Sequence, residues 1–251
     1  MSASPATDGL VAPGDAPLLP PRLRGERAPL GQAPMARAVA QAAIGIDPGL
    51  VVWQFDANTL EAALVLAPEE PLSSAMAALF AVELGLGDAL GALAPPEVAV
   101  HYDWPGGIRI NGGRAGRFEA AASTEDPATE PDWLVIGFSL VFLPASDTPH
   151  AEETALHLEG CGEITPIALL ESWSRHSLVW LNTLEERGLA GLQEAWRGRA
   201  WRLGEPLEHG PEKGSVFMGI DEQGGQLLKR SAEAGGTTHL RPLTAILGAG
   251  G

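Results

Sequence analysis

The sequence predicts an α+β chain: a body in which helices alternate with hairpins, closed by a small β module. Three observations carry this. Short apolar runs come in pairs joined by turn residues, as in Val51–Phe55 and Ala62–Ala67 around Asp56-Ala57-Asn58. Helical spacing of apolar residues recurs between such pairs, and beyond residue 199 the pattern changes to short strand-like runs separated by glycine.

Residues 1–33 carry Pro5, Pro13, Pro17, Pro20, Pro21 and Pro29 among Ala and Gly, so they are expected to be disordered or to run extended over the surface. Arg22, Arg24 and Arg27 in this stretch are expected to be solvated. A body over 34–198 and a small β domain over 199–251 follow. Pro34 suits the first turn of a helix in which Met35, Val39, Ala42 and Ala43 share a face, and Asp47-Pro48-Gly49 is a turn. The first hairpin comes next, ended by Pro68–Pro71. Ser73 or Ser74 is expected to cap a helix with Met76, Leu79, Phe80, Glu83 and Leu84 at helical spacing, extending past Gly85 and Gly87 to Leu93. Pro95-Pro96 stops it.

Val98–Trp104 reads as a strand that leads into a hairpin. Ile108 and Ile110 alternate with Arg109 and Asn111, and Asn111-Gly112-Gly113 supplies the positive-φ residues of a tight turn before Arg114 opens the return arm, through Phe118 to Ala122. Gly106 and Gly107 mark a second break at the mouth of the hairpin, and strand glycines mark bulges or close approaches of a ligand or backbone. An acidic loop, Ser123–Asp132, precedes Trp133–Phe142, the most apolar run of the chain and the expected central strand. Pro166–Arg187 reads as a helix with Leu170, Trp173, Trp180, Leu181 and Leu184 inward and Gly188 at its end, with a short helix over Leu189–Trp196 behind it. Trp201–Leu203, Ser215–Ile220 and Gln226–Arg230 are the expected strands of the β module, the last two joined by Asp221–Gly225.

Composition narrows the function. A net charge of −16 repels nucleic acid and anionic membrane. One cysteine, Cys161, forbids an internal disulfide and a multi-cysteine zinc site, which fits a cytoplasmic protein. No window is expected to cross a membrane.

This order of elements resembles the biotin/lipoate protein ligase family over about residues 35 to 247. The resemblance rests on Trp104-Pro105, Asn111-Gly112 and Ala115-Gly116, on the strand glycine Gly137, and on a bacterial ligase-like branch with an extra C-terminal piece. That branch has a Ser-Trp-Ser-Arg-His helix, matched by Ser172–His176, and a Gly-Ile-Asp-Glu-x-Gly-Gly turn, matched by Gly219–Gly225.

The resemblance implies a mixed, mainly antiparallel sheet flanked by helices, akin to the class II synthetase catalytic domain, with a small SH3-like module behind it. It implies ATP- and Mg2+-dependent activation of biotin, lipoate or octanoate, and transfer of the acyl group from its adenylate to a carrier-protein lysine by a monomer or homodimer. Trp104, Pro105, Gly106 and Gly107 match the family's Trp-Pro-Asn-Asp segment at the nucleotide and acyl site, and Asn111, Gly112 and Gly113 match its hairpin turn. Arg114, Ala115 and Gly116 fall near the Lys-x-Ala-Gly element whose lysine contacts the adenylate, which makes Arg114 the candidate catalytic cation. Gly137 matches the small residue of the following strand.

The chain departs from the family in its cations. Phe55–Leu60 leaves no room for the usual Gly-Arg-Gly loop, Asp103 stands where the family has lysine, Gly106-Gly107 replaces Asn-Asp, and Arg114 stands in for the catalytic lysine with one residue missing. Losing one cation about 4 Å from a phosphate forfeits roughly 4 kcal/mol at an effective dielectric of 20. Two readings besides a working ligase therefore stay open. One is a non-catalytic relative that binds an acyl or nucleotide ligand or a carrier protein; the other is an interaction protein whose pocket has closed. Arg109 and Arg117 are expected on a solvated strand face paired to the nearby acidic loops, His101 is expected to be packed or hydrogen-bonded, Cys161 to lie in a flexible acidic loop, and Asp221 and Glu222 to shape a turn.

Overall fold

The computed structural model describes residues 16–56, 58–145, 152–209, 212–230 and 237–247. Seven strands form the main sheet: β1 Arg24–Arg27, β2 Leu50–Asp56, β3 Thr59–Leu66, β4 Val100–Asp103, β5 Gly107–Ile110, β6 Gly113–Ala122 and β7 Leu134–Val141. Their order is β1-β2-β3-β7-β6-β5-β4, which puts the most apolar strand in the middle. Only β1 with β2 is a parallel pair. The sheet is thus mixed and mainly antiparallel, as the resemblance implied. A second sheet of three antiparallel strands, β8 Ser215–Ile220, β9 Gln226–Arg230 and β10 Thr238–Arg241, follows.

Alternation along the strands decides which helix covers which face. Leu50, Val52, Ala63, Val65 and Val135 point to one side and bury α1, Pro34–Ala43, through Ala38 and Ala42. Val51, Leu60, Ala62, Leu64, Leu134, Ile136, Phe138 and Leu140 point to the other and meet α3, Ala78–Leu93, and α4, Pro166–Arg187. Leu79, Phe80, Val82, Leu84, Leu86 and Leu90 of α3 are all fully buried, so this helix is buried on nearly every side, Glu83 included, and forms the centre of the core. Each of these apolar side chains contributes about 1.5–3 kcal/mol. Gly85 lets α4 approach: an added Cβ there would lie 2.7 Å from the Ser177 backbone nitrogen. α5, Ala190–Arg197, packs Trp196 edge-on against Phe80, with ring centres 4.9 Å apart.

Several expectations are corrected here. Leu72–Leu93 is long and apolar enough to cross a membrane, but 78% of that window is buried inside the fold, so it is a core segment. Ser73 and Ser74 cap nothing: they lie inside a one-turn helix, α2 Leu72–Ala75, which starts after Pro71 and precedes α3. Trp201–Leu203 is a turn and no strand, because Arg202 and Gly204 take positive φ of 52° and 87° and reverse the chain. β10 was not foreseen. Residues 1–15 of the proline-rich stretch lie outside the described residues, while Arg24–Arg27 joins the main sheet.

Candidate functional site

The Trp104–Gly116 segment is a hairpin, with Ile108 and Ile110 buried and a register shift at Ile108/Arg109. The positive φ values fall on Asn111 (49°) and Gly112 (89°), the first two residues of the Asn111-Gly112-Gly113 run that the turn chemistry singled out. Asn111 is consumed by the fold: its N–H donates to the Ala99 carbonyl, its Oδ1 accepts from the Ala99 N–H, both at 2.9 Å, and its Nδ2 donates to Glu159 at 2.8 Å. Gly112 lies under the Trp201 ring, and an added Cβ on Gly113 would come within 2.8 Å of Thr154.

The mouth of the hairpin is packed as well. Trp104 is 8% exposed and its indole N–H donates to the Gly224 carbonyl at 2.8 Å, while the Arg241 guanidinium sits 5.2 Å from its ring centre. Gly106, at φ 96°, abuts Phe118, and Gly107 abuts the Asp103 side chain. Ala115 is buried in the core, and an added Cβ on Gly116 would overlap the Ser139 carbonyl oxygen. Pro105 follows Trp104 through a cis peptide and is half-buried. Trp104 to Gly107 and Asn111 to Gly116 are thus contiguous. Gly137 stands apart on β7, opposite Glu119, with an added Cβ 3.2 Å from Met35 Sδ of α1.

The three hairpin arginines have different environments. Arg109 is buried, against the expectation of a solvated face: Nε donates to Asp103 at 2.7 Å, a second nitrogen donates to the Gly112 carbonyl at 2.7 Å, and the guanidinium stacks on Trp201 at 4.9 Å. It holds the turn. Arg114 lies 3.4 Å from Glu152 with 46% of its side chain exposed, and Arg117 lies 3.8 Å from Glu119 with 68% exposed. Glu152 also faces His209 Nε2 at 3.2 Å.

Beside that pair opens a cavity of about 590 Å³ lined by Glu152, Arg202, Glu205, Glu208, His209 and Lys213 among others. Only the run of charge between Gly204 and Gly214 signals it in the sequence. On the α1 side of the main sheet, Gln54, Glu61, Ser139, Arg117 and Glu119 share a partly open polar surface, in which Gln54 Nε2 donates to Glu61 at 2.7 Å.

Glu83 is the titratable group that sequence reasoning passed over as one more inward helix position. It is fully buried, and burial pushes its carboxyl up to about 8, opposed by the Trp196 indole N–H, which donates to Oε2 at 2.6 Å. Oε1 has no partner among the described residues. His101 stacks edge-on with Trp201, and burial lowers its pKa. Cys161, expected in a flexible loop, is 1% exposed and burial raises its thiol pKa, which removes it as a nucleophile. Asp221 shapes its turn, with Oδ1 accepting from Gln223 and Gly225 N–H. Among the described residues no group of three or more His, Cys, Asp or Glu is placed to hold a metal ion.

The biotin/lipoate A/B protein ligase family matches residues 19–198. A biotin–[acetyl-CoA-carboxylase] ligase of Paracoccus denitrificans is 27% identical over 186 residues, 72% of this chain and 78% of that ligase. The crystal structure of a biotin protein ligase-like protein of unknown function from a Silicibacter species superposes with a TM-score of 0.85 at 48% identity, covering 92% of this chain and 99% of that one. The biotin protein ligase of Aquifex aeolicus, solved in complex with biotin and ATP, shares the fold at a TM-score of 0.62 and 15% identity, over 88% of this chain and 94% of that one.

Proposed function

Since the chain belongs to the biotin/lipoate A/B protein ligase family, we propose that it activates a biotin- or lipoate-like acyl chain with ATP and Mg2+ and passes it to a carrier-protein lysine. In this reaction the acyl carboxylate attacks the α-phosphorus and pyrophosphate leaves. The carrier-lysine amine then attacks the acyl carbon, the acyl C–O bond breaks so that AMP leaves with that oxygen, and the nitrogen gives up a proton as the amide forms.

The observation that carries this reading is the state of Arg114, a half-exposed cation at the start of β6 next to the cavity. An exposed ion pair such as Arg114 with Glu152 stabilises by about 0–1 kcal/mol. A phosphate can therefore displace the Glu152 carboxylate at little cost, and the guanidinium then offers a fork that fits phosphate oxygens. Arg109 is not available in the same way, since it is buried on Asp103 and the Gly112 carbonyl. The proposed ligand frame is Trp104, Pro105, Gly106, Gly107, Asn111, Gly112, Gly113, Ala115, Gly116 and Gly137, with Arg114 as the catalytic cation.

A second reading has its own support. Each hairpin arginine already faces a carboxylate: Arg109 with Asp103, Arg114 with Glu152 and Arg117 with Glu119. That pattern suits a non-catalytic relative which binds an acyl ligand or a carrier protein. Titration calorimetry with ATP, biotin, lipoate and octanoate, run beside a pyrophosphate-release assay and labelling of a carrier domain, separates the two. Release and labelling support the ligase, binding without either supports the relative, and no binding of any of these ligands sinks the ligase reading and leaves the relative only as a carrier-protein binder.

A further inference from the structure

β1 closes one end of the main sheet, and among the described residues only its inner side is paired. Arg24 N–H donates to the Gly49 carbonyl at 3.0 Å and Ala28 N–H to the Trp53 carbonyl at 2.8 Å. Alternate residues of a strand turn their amides to opposite edges, so Gly25 and Arg27 present N–H and C=O outward. Arg24, Gly25 and Arg27 are exposed, and among the described residues no backbone group meets that outer edge. A bare strand edge is a template for the addition of another strand.

Charge decides which strand fits. The segment 22–27 carries Arg22, Arg24 and Arg27 against Glu26, and Glu26 is committed to Arg37 at 2.7 Å. This is a cationic strip on a chain of net charge −16. Arg24 shares a face with Leu50, whereas Arg27 lies on the other face, over the Trp53 ring at 5.4 Å. The arginines therefore flank the edge on both sides. A strand with acidic side chains meets a guanidinium on either face here and is repelled by the rest of the surface.

We infer that the outer edge of β1 docks an extended acidic segment of a partner protein, which adds to the sheet as an eighth strand. The inference is independent of the ligase reading.

The test uses the full chain and a fluorescein-labelled hexapeptide of alternating glutamate and valine, followed by anisotropy and by amide exchange. Saturable binding is expected, weakened at least about tenfold by the double variant Arg24→Glu, Arg27→Glu, which removes the guanidinium on each face, and weakened by salt over the range in which exposed charges are screened. The Gly25 and Arg27 amides are expected to slow on binding, while Arg24 and Ala28, already bonded, do not. Gly25→Pro removes an outward donor at an edge position that tolerates proline and should abolish binding with its melting temperature kept. Any of three results overturns the inference. One is no binding of the acidic peptide, which makes the arginines guards against strand addition. Another is equal binding of a lysine-valine peptide. The last is slow exchange at Gly25 and Arg27 in the free chain, which places another segment of the chain on the edge.

Discussion

The Trp104 indole N–H donates to the Gly224 carbonyl 120 residues away, at 2.8 Å, and so fastens the Trp-Pro hairpin to the β8–β9 turn. The tryptophan is a docking peg for the C-terminal sheet as well as a member of the proposed ligand frame.

Trp104→Phe keeps the apolar ring and removes the donor. Leaving a buried carbonyl without its partner costs about 1–3 kcal/mol. The melting temperature should fall by roughly 2–4 °C per kcal/mol, and amides of Ser215–Arg230 should exchange faster. An unchanged melting temperature with weakened ligand binding would instead make Trp104 a ligand contact alone.

Gly116→Ala tests what the glycine is for. The added methyl overlaps the Ser139 carbonyl oxygen and approaches Leu140 Cα to 3.0 Å. Overpacking of this kind costs about 1–3 kcal/mol. Chemical denaturation should show that loss without any ligand present; a variant of unaltered stability would show that Gly116 only clears space for a ligand.

Glu83 predicts a pH dependence with a definite sign. Its carboxyl is ordinary at 4.5 when unfolded and about 8 when folded, so between those values the native state holds a proton that the unfolded state has released. The stabilisation is complete below pH 4.5, declines as the pH rises toward 8 and is gone above it. The total is on the order of a few kcal/mol. Glu83→Gln keeps an acceptor for Trp196 and cannot ionise. Unfolding free energies from pH 5 to 9 should slope downward in the natural chain and be flatter in the variant; parallel slopes would assign the effect to another group.

Much of the fold was legible in the residues because it follows from alternation and turn chemistry. The pairs around Asp56-Asn58 and Asn111-Gly112 became β2–β3 and β5–β6, and the most apolar run, ending at Phe142, became central β7. What escaped depends on tertiary contact. β1 exists because residues 24–27 find β2 as a parallel partner, which no local pattern encodes. Trp201 reads as a strand residue, yet its ring is held by His101, Arg109 and Gly112 while the chain turns at Arg202. The hairpin's glycines were legible as close approaches, but the residues they approach, Phe118, Thr154 and Ser139, come from distant or neighbouring strands and loops that sequence does not juxtapose. The cavity beside Arg114 left only the charged run between Gly204 and Gly214 as its trace in the sequence, because its lining comes together only in the fold.

The Arg114–Glu152 pair separates the two functional readings by substitution. Both side chains are about half exposed, so Arg114→Ala should change stability by less than about 1 kcal/mol. If Arg114 holds the α-phosphate, the same variant should lower ATP affinity or carrier labelling at least about tenfold, since a charge-assisted contact of about 1.5–3 kcal/mol is lost. Arg117→Ala, further exposed and paired among the described residues to Glu119 at 3.8 Å, should leave both nearly unchanged. Glu152→Gln removes the competing carboxylate while keeping its size, and ATP should then bind several-fold more tightly. Weaker binding in Glu152→Gln would mean that the carboxylate serves the site directly. Equal losses from Arg114→Ala and Arg117→Ala would reduce both arginines to a diffuse field and remove Arg114 from its proposed role.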